Sequence, residues 1–101
     1  MTYRVLVADP NKTVRLAAQM VFAKNPEIFL ATAINAFEAL DKMHTFGPVL
    51  AFLDANLAKE LQAGLVRPPC PIIILNKPFT SKGLEQQVED QLIQLACQAE
   101  Q

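Results

Sequence analysis

The stretch Pro48-Val49-Leu50-Ala51-Phe52-Leu53-Asp54-Ala55-Asn56 is an apolar run that stops abruptly at a carboxylate. A short, continuous apolar run is the pattern of a strand buried on both faces, which is typical of parallel sheets covered by helices. In an open sheet of that kind, the crevice outside the carboxyl ends of the strands collects the reactive groups. Asp54 is therefore the position around which the other polar residues are sorted.

Upstream, Val5-Leu6-Val7-Ala8 repeats the pattern and ends at Asp9-Pro10-Asn11. Asn11 is suited to cap a helix whose apolar stripe is Val14, Ala17, Ala18, Val21 and Phe22, and Lys24-Asn25-Pro26 stops it. Glu27 to Ala33 reads as a second strand. Asn35 then caps a helix with Phe37, Leu40 and Met43 on its inner face, closed by Phe46-Gly47-Pro48. Val49 to Leu53 is the third strand.

Downstream, Leu57, Leu61 and Leu65 predict a short third helix, and Arg67-Pro68-Pro69-Cys70-Pro71 must be extended because each proline restricts the residue before it. Ile72-Ile73-Ile74-Leu75 is a β-branched, apolar strand. Thr80 or Ser81 caps a last helix, with Leu84, Val88, Leu92, Leu95 and Ala96 inward and Lys82, Glu85 and Glu89 outward.

The alternation βαβαβαβα predicts an α/β fold: a flavodoxin-like, doubly wound parallel sheet shortened to about four strands in the order 2-1-3-4, with helices on both faces. Residues 1–101 form one domain. The switch point falls between strands 1 and 3, where Asp9 and Asp54 both emerge.

Composition narrows the function classes. The 101 residues are 51% apolar and 19% charged, as in a globular protein. Nine Lys and Arg stand against ten Asp and Glu, so no basic field points to nucleic acid or to a membrane surface. The N-terminal apolar run is too short for a signal peptide or a span, and a cytoplasmic location is expected. Cys70 and Cys97 have no metal-ligand spacing and are expected to be thiols. His44 suits the negative end of the second helix, and the six phenylalanines read as packing.

Four segments in order carry a resemblance: Val5-Leu6-Val7-Ala8-Asp9, Glu38-Ala39-Leu40, Phe52-Leu53-Asp54 and Lys77-Pro78-Phe79. Together the chain resembles the receiver domain of bacterial two-component response regulators, of the chemotaxis-regulator type. The resemblance implies that Asp54 is a phosphoacceptor and that Lys77 contacts the phosphoryl group. It also implies that Asp9, Asp54 and the backbone carbonyl of Asn56 hold Mg²⁺, weakly if at all, which suits an ion that takes few carboxylates and keeps several waters.

The departures carry as much weight. That family has two adjacent acids after the first strand, and Ala8 stands where the first is expected. Between Leu75 and Lys77 only Asn76 remains of the segment that holds a switch hydroxyl, a fourth helix and a further strand. Haloacid-dehalogenase phosphatases also place an aspartate after an apolar strand. They need a second aspartate two residues on as general acid, where this chain has Asn56.

The expected function is a stand-alone receiver-like signalling module, not an enzyme, phosphorylated on Asp54 by a histidine kinase or phosphotransfer protein and acting on a downstream protein by binding. The alternative is a phosphate-independent pseudo-receiver, a scaffold or dimerisation unit. Loss of a strand makes Ile72 to Leu75 an edge, and so predicts a homodimer.

Overall fold

Among the described residues, four parallel strands alternate with four helices. They are β1 (Tyr3–Ala8), α1 (Lys12–Phe22), β2 (Ile28–Ala33), α2 (Ala36–Thr45), β3 (Leu50–Leu53), α3 (Ala55–Ala63), β4 (Ile72–Ile74) and α4 (Ser81–Ala99). The computed structural model describes residues 2–64, 69–75 and 81–99, without the side chains of 81 and 95–99. Expectations for Leu65, Arg67, Pro68, Asn76, Lys77, Pro78, Phe79 and Thr80, and for the side chains of Leu95, Ala96 and Cys97, lie outside the described residues.

The sheet order is β2-β1-β3-β4, as the alternation predicts. Successive side chains of a strand point to opposite faces, so β1 feeds two cores. Val5 and Val7 join Ala18, Val21, Phe22, Leu50, Phe52, Leu75, Leu84 and Val88 beneath α1 and α4. Leu6 and Ala8 join Ala33, Ala39, Met43, Ala51, Leu53, Leu57, Ala58, Leu61 and Cys70 beneath α2 and α3. Burial on both faces explains why β1 and β3 are apolar without alternation.

The helix signals act as their chemistry dictates. Asn11 accepts the Thr13 N–H at 2.9 Å and Asn35 the Glu38 N–H at 2.8 Å, each satisfying a first-turn donor. Past the end of α2, Gly47 has φ of +67°, a conformation glycine adopts without a Cβ penalty. His44 lies in the last turn of α2, exposed.

Three expectations need correction. Phe37 is 84% exposed, because the inward stripe of α2 runs through Ala39 and Met43 with Ala36 and Leu40 packed against it, and Phe37 is about 100° around the helix from Ala36. Phe29 is also exposed, on edge strand β2, which has a neighbour on one flank only. The isoleucine run forms a three-residue strand, shorter than its composition suggests, with Ile72 and Ile73 half-buried and Ile74 43% exposed.

Candidate functional site

Asp9 and Asp54 leave the sheet side by side. Ala8 and Leu53 are register partners, and the Asp54 N–H donates to the Ala8 carbonyl at 2.9 Å while the Asp9 N–H donates to the Ala33 carbonyl at 3.0 Å. The strand pairing that builds the core thus sets the two aspartates at adjacent strand ends, at the switch point between β1 and β3. Asp9 is fully buried and Asp54 only 7% exposed.

Each carboxylate is engaged by the backbone two residues on. The Asn11 N–H donates to Asp9 Oδ1 at 2.8 Å, and the Asn56 N–H donates to Asp54 Oδ2 at 3.1 Å. Asp54 is the N-cap of α3, which begins at the next residue. Helix starts leave N–H groups without intrahelical partners and carry a partial positive charge, so they suit a carboxylate.

The other expected residues divide. Asn56 lies in the first turn of α3, where a carbonyl points along the axis toward the N–H four residues on, here Glu60, and so away from the Asp54 carboxylate. Lys77 falls outside the described residues. Ala8 is fully buried in the α2–α3 core beside Leu53 and Ala33, so its side chain does not face the aspartates. The residue that flanks Asp9 at the surface is Pro10, which is exposed. The position lacking the second acid of the expected pair is therefore better placed at Pro10 than at Ala8.

Arg15 was not anticipated. From the second turn of α1 its Nη1 donates to the Asp9 backbone carbonyl at 2.7 Å, a charge-assisted bond in a half-buried setting. Its only sequence signal is a cation one turn past the Asn11 cap, which is common on exposed helix faces. Cys70 is buried beneath α3, and desolvation raises its thiol pKa above the ordinary value of 9.0. Among the described residues no group of three or more His, Cys, Asp or Glu is placed to hold a metal, and no helix is long and apolar enough to cross a membrane. A groove of about 320 Å³ lies between α1 and α4, floored by Val21, Phe22, Ile28 and Val88, at the start of β2 and so at the other end of the sheet from the carboxylates.

No protein-family model matches the chain, and no curated protein matches it in sequence. Solved structures do. A response regulator receiver modulated diguanylate cyclase from Pelobacter carbinolicus superposes with a TM-score of 0.80 at 18% identity, over 98% of this chain and 99% of that one. The N-terminal domain of an uncharacterized protein from Wolinella succinogenes gives 0.67 at 17% identity, over 95% and 98%. The response regulator domain of Thermotoga maritima CheB gives 0.65 at 21% identity, over 98% and 96%. At these identities the likeness is one of architecture, and in architecture this chain is a response-regulator receiver fold.

Proposed function

We propose that this chain is a receiver-like signalling module of a two-component or phosphorelay pathway that acts through protein–protein binding and turns over no substrate of its own. The observation that carries this reading is the pair Asp9 and Asp54 at adjacent strand ends in a 2-1-3-4 sheet. Relative to a typical receiver we read it as shortened between β4 and α4, without the usual fourth helix and one strand.

Asp54 is the phosphoacceptor in this reading. Its carboxylate would attack a phosphoryl donor, with Lys77 contacting the transferred group and a histidine kinase or phosphotransfer protein as the source. A second reading, a phosphate-independent pseudo-receiver, is favoured by one observation: the Asp54 carboxylate already caps α3. Incubation with Mg²⁺ and a small acyl phosphate, followed by intact mass, separates the two. A phosphoryl adduct that disappears in Asp54→Asn supports phosphoacceptance. No adduct, or one that persists in Asp54→Asn, leaves the scaffold reading.

Homodimerisation belongs to the same proposal. The Pro71 carbonyl and the Leu75 N–H bond to β3, so the backbone groups of Ile72 and Ile74 point to the outer flank of β4. A second copy related by a two-fold axis near Ile73 would pair with both. Size measurement at micromolar concentration should give a dimer that Ile74→Lys dissociates, since charge on an edge strand opposes pairing. A monomer throughout would refute self-pairing.

A further inference from the structure

We infer that the Asp9–Asp54 pocket works without a divalent cation, because the chain's own backbone N–H groups serve the carboxylates that a receiver's Mg²⁺ would take. This metal independence deepens the receiver-like reading of the same pocket. Mg²⁺ requires near-octahedral oxygen ligands at about 2.0–2.1 Å and gives up its waters reluctantly, so its site needs outward-facing oxygens and room for a hydration shell.

The described residues of the pocket supply few such groups. Asp9 is fully buried and Asp54 nearly so, and the N–H groups of Asn11 and Asn56 occupy an oxygen of each. The Asn56 carbonyl, the third expected ligand, is directed down α3.

Charge points the same way. The start of α3 sets the positive end of a helix dipole against Asp54, and the Arg15 guanidinium sits 2.7 Å from the Asp9 carbonyl. Both set positive charge beside the pocket and oppose a dication. The loop that would part Asp54 from α3 is absent, since the helix starts at Ala55.

The test is a thermal melt of the full chain with Mg²⁺ titrated to about 20 mM at constant ionic strength, run beside Asp54→Asn. Asparagine keeps the capping acceptor and removes the charge. The expected melting temperature is flat to within about 1 °C in both proteins. Binding with millimolar affinity would instead raise it by about 5–10 °C, climbing with the logarithm of Mg²⁺ concentration; such a rise, lost in Asp54→Asn, overturns metal independence and leaves the receiver-like reading standing. Mn²⁺ supplies a second readout. General, weak broadening of amide resonances is expected, and selective broadening of Asp9, Asn11, Asp54 and Asn56 at sub-stoichiometric Mn²⁺ overturns the inference even where Asp54→Asn fails to fold. A chain that ignores Mg²⁺ and also binds no partner kinase or phosphotransfer protein would sink the signalling reading alone.

Discussion

The tripeptides Asp9-Pro10-Asn11 and Asp54-Ala55-Asn56 share a pattern, and in both the aspartate accepts the N–H of the asparagine two residues on. Their outcomes differ. After Asp9 the chain takes an extra step, so that Asn11 becomes the cap and α1 starts at Lys12. After Asp54 the helix starts at once, so that the aspartate is the cap and Asn56 lies inside the first turn. The same local bond can hold a loop open ahead of a helix or serve as the helix cap. Which one occurs decides whether the carboxylate closes a turn ahead of the helix or is itself the helix cap.

Substitutions can break this comparison in order of effect. Asp54→Ala removes the cap of α3 and should cost about 1–2 kcal/mol, whereas Asp54→Asn should cost a few tenths, both read by denaturant unfolding. Equal losses would mean that charge rather than capping holds the turn. Next come the two asparagines. Asn11→Ala should cost about 1 kcal/mol because its side chain caps α1, while Asn56→Ala, exposed inside a helix, should stay within about 0.5 kcal/mol of the parent. A reversal would place the real cap of α3 at Asn56.

Arg15→Met tests the tie on the first turn. Removing a charge-assisted bond to the Asp9 carbonyl should cost about 0.5–1.5 kcal/mol. Hydrogen exchange at the Asp9 and Asn11 amides should accelerate, and unchanged exchange would refute the tie. The smallest effect concerns Cys70. Its thiol pKa is raised by burial, so folding binds the proton more tightly than the unfolded chain does. Stability is therefore full below the unfolded pKa and declines as pH rises above about 9. Cys70→Ala should flatten that alkaline decline, at the cost of a small cavity, and alkylation of Cys70 should be much slower in the folded protein than in urea.

Most of the architecture is legible in the sequence because its signals are local. Apolar runs of four or five residues, caps at Asn11 and Asn35, and Gly47 at a helix end each act within a turn or a strand. The face of Phe37 is ambiguous in the sequence because a stripe through Phe37, Leu40 and Met43 and one through Ala36, Ala39, Leu40 and Met43 fit the same spacing, and alanine gives little hydrophobic signal. At the site, the adjacency of Asp9 and Asp54 followed from the order of strands. Arg15 could not be read, since its partner is a backbone carbonyl, which every residue has. The alignment of Ala8 with the missing acid failed because strand parity, set by the register with β3, sends that side chain into the core.

The strand order also fixes when each face of the sheet can close. By Leu53 the chain has supplied β2, β1 and β3, and by Cys70 every buried side chain of the α2–α3 cluster exists. The α1–α4 cluster still lacks Leu75, Leu84 and Val88 at that stage. During synthesis one apolar face, with Val5, Val7, Leu50 and Phe52, is covered by α1 alone until α4 emerges, and nascent chains that stall before Leu84 should be the ones that recruit chaperones.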